Sequence, residues 1–145
     1  MKTFYLIILC ISSVAFNVLS EAEVPSGLLA IWFSSNIELT IERNSIYNSL
    51  SKPEQEKFSS IYTGNLFKIE RSSIFVKKYD QIYKYSYSVL SSSENMLVIE
   101  VDHKDLGLNT WVIFHNQEIN MIAISAPNHF KFGNALVVNE YYTRS

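Results

Sequence analysis

Cysteine is almost missing from this chain. Of 145 residues one is a cysteine, Cys10, and it lies in the apolar run near the N-terminus. Removal of that run as an export signal leaves a mature protein with no thiol, which excludes disulfides, thiol catalysis and cysteine-held metal. Such a domain has to stand on a well-packed core, and the lack of disulfides fits a bacterial envelope better than eukaryotic secretion. Glycine is scarce as well: Gly27, Gly64, Gly107 and Gly133 are isolated, so no cluster exists to cradle a phosphate. No Asn-x-Ser/Thr acceptor occurs. An excess of positive charge is also lacking. The 12 Lys and Arg against 14 Asp and Glu give a net charge of −2, with the signs mixed along the chain. No basic stripe can follow a phosphate backbone, and nucleic acid is excluded as a partner.

Dedicated catalytic groupings are missing too. No Gly-x-Ser-x-Gly elbow is present, and Ser91, Ser92 and Ser93 precede Glu94-Asn95 in what reads as an exposed hairpin turn. His103, His115 and His129 each fall at or beyond an expected strand end, and none is spaced His-x-His or His-x-x-x-His. A metal site would have to be assembled from separate turns, for example His103 with Asp102 or Asp105 and His115. Polar turn histidines are the commoner case. Glu100 and Asp102 share a strand face, which reads as an ordinary solvated face rather than a general acid–base pair. The expectation is therefore a protein that is not an enzyme, with no cofactor, no metal and no catalytic residue.

What is present begins with MKTFYLIILCISSVAFNVLS. Lys2, the apolar run from Phe4 to Cys10 and beyond, and the small Ser20 read as a secretory signal over residues 1–20, cut after Ser20 or, as the alternative, after Ala22. Ser12, Ser13 and Asn17 interrupt the run, which falls short of the roughly 20 apolar residues of a membrane span. A lipoprotein reading on Cys10 is disfavoured by the bulky Leu9 before it. The expected destination is the periplasm or the exterior, with no stable membrane span left after cleavage. Residues 21–27, EAEVPSG, read as a flexible leader, and residues 28–145 as one domain.

Within that domain LAIWFSS reads as a first strand. In NIELTIER, Ile37, Leu39 and Ile41 alternate with Glu38, Thr40 and Glu42, which predicts a second strand, and SIYNSL a short third. SKPEQEKFSSIYTG carries Ser51 at an N-cap, Pro53 in the first turn, Glu54 at the capping-box position and Gly64 past the end. These predict one short helix over about 52–63. Then NLFKIE, SIFVKKY, QIYKYSYSVL, MLVIEVD, NTWVIFH, EINMIAIS and ALVVNEYY follow, separated by turns too short to hold crossover helices. The expected fold is mainly β, an antiparallel meander forming a barrel or half-barrel of about eight to ten strands.

In QIYKYSYSV the alternation places Tyr83, Tyr85 and Tyr87 on one face. A flat sheet exposing them would aggregate, so an enclosing structure is favoured. Each enclosed phenol needs a hydrogen-bond partner, since an unmade bond costs about 1–3 kcal/mol. Two readings follow. The tyrosines are amphipathic core whose tips reach the rim, or Tyr83, Tyr85 and Tyr87 line a ligand cavity with Trp32 or Trp111 at one end.

The stretch GLLAIWFSSNIELTIERNSIY, with Gly27 followed by Trp32 and then a polar break, resembles the opening of small bacterial lipocalin-like (calycin-like) domains. YKYSYSVLSSSENMLVIE stands where those domains carry a Tyr-rich strand, a turn and an apolar strand. The resemblance implies an antiparallel barrel used for binding, often in cell envelopes. The function expected is an exported binding module for a small apolar ligand or a partner protein. The alternative is an envelope inhibitor or toxin-neutralising immunity protein acting through HKDLGLN and SAPNHFKFG.

Overall fold

The computed structural model describes residues 22–104, 107–125 and 138–144. The expected signal over residues 1–20, Asp105, and all but Ser125 of the SAPNHFKFG loop, His129 included, lie outside the described residues. Eight strands form a closed antiparallel barrel: β1 (Trp32–Ser35), β2 (Leu66–Ile69), β3 (Ser73–Lys78), β4 (Gln81–Ser93), β5 (Met96–His103), β6 (Gly107–Asn116), β7 (Met121–Ser125) and β8 (Asn139–Arg144). Each strand pairs with the next, and β8 returns to β1 through Ser35↔Tyr142 and Phe33↔Arg144. Closure removes the sheet edges that so apolar a meander would otherwise expose.

The period of two sets what faces inward. Phe67 and Ile69 on β2, Leu97, Ile99 and Val101 on β5, Trp111 and Ile113 on β6 and Ile122 and Ile124 on β7 are buried and form one core. The registers Phe67↔Val76 and Val76↔Tyr83 bring β3 and the tyrosines of β4 into phase with them. A bulge between Val89 and Ser91 shifts the register of β4, the longest strand.

One end of the barrel is closed by the chain before β1. Residues Ser26–Leu28 form a 3₁₀ turn, Leu28 is fully buried, and Val24 joins the same core. Ala30 N–H donates to the Ile69 carbonyl at 2.8 Å, which ties this plug to β2. Gly27 lies against the His115 imidazole, so close that a Cβ there would stand 3.5 Å from its Cε1.

The other end carries the long β1–β2 connection, and here two expectations are corrected. NIELTIER is a helix, α1 (Ile37–Arg43), rather than a second strand, and Ser45–Ser49 is a 3₁₀ turn rather than a third. Asn36 caps α1, its Oδ1 accepting the Leu39 N–H at 3.0 Å. The same residues that alternate in a strand also place Ile37 and Ile41 four apart, on one side of a helix, where both pack against a second apolar cluster. The decision comes from β8. Asn36 N–H donates to the Tyr141 carbonyl, Thr40 Oγ1 accepts the Tyr141 N–H, and Asn44 both accepts from Asn139 N–H (3.0 Å) and donates to its carbonyl (2.8 Å). Thr40 of α1 and the two asparagines that cap it thus continue the ladder past the end of β1.

The predicted helix over 52–63 forms as α2 (Lys52–Tyr62), where Glu54 Oε2 accepts both the Ser51 N–H and its hydroxyl. Phe58 is fully buried, with its ring tilted against that of Tyr62 (4.6 Å between centroids) and edge-on to Tyr47 (5.3 Å). With Leu50 and Val138 these rings make a cap core separate from that of the barrel.

Candidate ligand cavity

A cavity of about 250 Å³ opens where α2 meets the barrel. Its aromatic wall comes from β4, β5 and β6: the Tyr85 ring stacks on His103 at 5.1 Å and 17°, and tilts against Trp111 at 6.1 Å. Its floor is Phe67, whose ring lies 6.5 Å from that of Trp111 and 5.6 Å from that of Tyr142. Ile61 and Tyr62, at the C-terminal end of α2, close the side toward the cap.

Of the residues singled out in the sequence, Tyr83, Tyr85 and Trp111 meet around this cavity. Tyr83 sits at the rim, 42% exposed, with its hydroxyl donating to Gln81 Oε1 at 2.6 Å. Tyr87 points inward toward the plugged end, where its hydroxyl donates to the Glu70 carbonyl and burial pushes its pKa up to about 12. Trp32 does not reach the cavity lining. It is out of phase with buried Phe33, and the Lys68 ammonium lies 5.0 Å from its ring centroid and 4.8 Å from that of Phe75. His103 pairs with Gly107 at one end of β6, while His115 lies near the other, so the two histidines do not converge. His115 is edge-on to Phe33 at 6.4 Å, and burial lowers its pKa, which favours the neutral ring.

Three polar side chains at this site were not singled out in the sequence. Glu140 and Tyr142 on β8 follow Val138, which directly precedes the strand, at every second position, so the three fall on one side, and that side is the inner one. A carboxylate in phase with an apolar inward row was the available signal. Glu140 is partly buried in the cavity wall, and Tyr142 donates its hydroxyl to Oε2 at 2.6 Å. Burial raises the Glu140 pKa, while the Tyr142 hydrogen bond and the charge of Lys78 pull the other way. Burial and the nearby carboxylate together hold the Tyr62 and Tyr142 phenols well above the ordinary tyrosine range.

The third is Asn65, just before β2. Its Nδ2 donates to the Ile61 carbonyl at 2.9 Å, which fixes the amide's orientation, and its buried Oδ1 accepts no hydrogen bond among the described residues.

A raised carboxyl pKa has a defined effect on stability. The folded state holds the Glu140 proton to a higher pH than the unfolded chain, whose carboxyl titrates near about 4.3. The stabilising contribution is complete below that value and is lost as pH rises through the folded pKa. Glu140→Gln, which keeps an acceptor for Tyr142, is therefore expected to raise the urea midpoint at about pH 7 and to leave it unchanged at about pH 4. A variant less stable than the parent at both pH values contradicts this account of the carboxyl.

Comparison with protein-family models, curated proteins and solved structures found no significant match to this chain.

Proposed function

We propose that this protein is an exported, lipocalin-like binding module that takes a small, mainly apolar ligand into the helical end of its barrel and catalyses no reaction. The observation that carries the reading is the cavity of about 250 Å³ bordered by Phe67, Tyr85, Trp111 and Ile124, sealed from the opposite end by the plug at Leu28. Close-packed interiors leave few voids of this size, and an aromatic enclosure with a few polar groups is what ligand sites require. The volume lies below the ~300–1,000 Å³ of sites for drug-sized molecules, so the ligand is small. Export is supported by Lys2 and the apolar run within residues 1–20. The periplasm or the exterior is the destination this reading assigns.

The test is to fill the cavity. An environment-sensitive apolar dye is expected to bind the parent protein with quenching of tryptophan emission. Ile124→Trp places an indole in the space, and the milder Ile124→Phe fills part of it. The first is expected to abolish dye binding and the second to weaken it, with the far-ultraviolet circular dichroism of both unchanged. Equal dye affinity in parent and both variants sinks the proposal.

A further inference from the structure

Resting on that reading, we infer that the ligand carries one positive charge, an ammonium on an aromatic or apolar body, seated against Glu140. Among the described residues that line the cavity, Glu140 is the only carboxylate. The Tyr142 hydroxyl supplies one donor, to Oε2, where an ionised carboxyl can accept several. Asn65 adds another oxygen at the same site, held with its amide nitrogen on Ile61 and its buried Oδ1 without a donor among the described residues. The unmet atom, Asn65 Oδ1, is an acceptor beside a carboxylate, and an ammonium carries only donors. The walls are compatible with this sign, because the rings of Phe67, Tyr85 and Trp111 line the cavity and an aromatic ring attracts a cation placed over its face.

Lys78 also lines the cavity, and its charge is the obvious rival. Its Nζ lies 5.6 Å from the centroid of the Tyr79 ring, which is 71% exposed, so the ammonium reaches toward the rim, while burial lowers its pKa and the charge of Glu140 opposes that fall. A bound cation therefore meets Glu140 after passing Lys78, and the apolar body fills the space toward Trp111. An enclosed carboxylate is costly for an empty protein. A ligand charge would add to the compensation that Tyr142 and Lys78 give the carboxyl.

The probes are 2-phenylethylamine, 2-phenylethanol and 3-phenylpropionate, titrated calorimetrically into the full protein. The amine is expected to bind at least about tenfold more tightly than the alcohol, the worth of one charge-assisted hydrogen bond. In Glu140→Gln that preference should vanish while alcohol affinity stays within about twofold. Amine affinity should fall once pH is lowered far enough for the carboxyl to take up its proton, at a higher pH than an ordinary carboxylate would require, and the fall should be absent in the Gln variant. The other titratable groups facing the carboxyl are Tyr62 on α2, Lys78 on β3, Tyr83 and Tyr85 on β4, His103 on β5 and Tyr142 on β8. A His103→Gln control that retains the pH dependence assigns it to Glu140, and one that loses it overturns the assignment. Equal affinity for amine and alcohol overturns the inference, as does tightest binding of the carboxylate, abolished by Lys78→Met. Dye binding with no binding of any probe overturns the charge assignment and leaves the cavity reading intact. Failure of dye and probes together removes both.

Discussion

Phe67→Ala is expected to lower stability by about 3–5 kcal/mol, the largest effect of any single truncation in this barrel, read as a fall in the urea midpoint at constant slope. The ring is 1% exposed and sits between Trp111 and Tyr142, with Ile69 two residues on along the same inner row. Its removal costs the transfer energy of the ring plus the void left behind. That void cannot shrink by local collapse, because on one side it opens into an existing cavity of about 250 Å³. The expected value therefore lies in the upper half of the range. The enlarged space should also admit a bulkier dye than the parent accepts. Phe114→Ala is the matched control. Phe114 is 51% exposed on the outward face of β6, and its truncation should change stability by no more than about 0.5 kcal/mol. Similar losses in the two variants would mean that the inward and outward rows of the barrel are wrongly assigned.

Asn44→Ala is expected to cost about 2–4 kcal/mol, from a side chain that contributes almost no apolar burial. Asn44 satisfies the N–H and the carbonyl of Asn139 together and donates to the Thr40 carbonyl at 2.6 Å. Alanine leaves both main-chain groups of Asn139 without these partners at a site where Asn44 itself is 7% exposed. Asn44→Asp should be no milder, since it keeps the acceptor for the Asn139 N–H and turns a second oxygen toward two carbonyls. Asn48→Ala, in the adjacent 3₁₀ turn and away from β8, should change stability by no more than about 0.5 kcal/mol. If α1 were an incidental helix with no part in joining β8 to β1, all three variants would unfold at the same urea concentration.

These two positions mark the boundary of what the sequence makes legible. Phe67 is readable because NLFKIE alternates, and alternation is a property of the strand itself; the same holds for Leu97 to Val101 and for Trp111 with Ile113. NIELTIER alternates equally well, yet its fate is decided by hydrogen bonds to Tyr141 and Asn139 about a hundred residues later, which no local window contains. The helix α2 is legible because Ser51, Pro53 and Glu54 act within one turn. The site divides in the same way. Tyr85 and Trp111 follow from strand phase, and the position of Tyr83 at the rim follows from being near the start of β4. Trp32 draws attention by its size, but its phase relative to Phe33 turns it outward, onto Lys68. Glu140 is the converse: a charge is ordinarily assigned to the solvated face, and only the inward phase of Val138 and Tyr142 on either side reveals where it points.

The buried carboxyl also links stability to binding in one residue. Burial raises its pKa, so at neutral pH the empty parent is expected to be less stable than the Glu140→Gln variant, whereas a bound cation would add to the compensation that Tyr142 and Lys78 give. A ligand that satisfies this group should therefore raise the unfolding midpoint of the parent and leave that of Glu140→Gln nearly unmoved.

The most direct measurement is native mass spectrometry of the protein purified gently from the cells that make it. The account predicts a one-to-one adduct of a small organic molecule, released on acidification and missing from Ile124→Trp purified in parallel. A bare protein mass under conditions that preserve the fold, with no dye bound that any extract of those cells displaces, would contradict it.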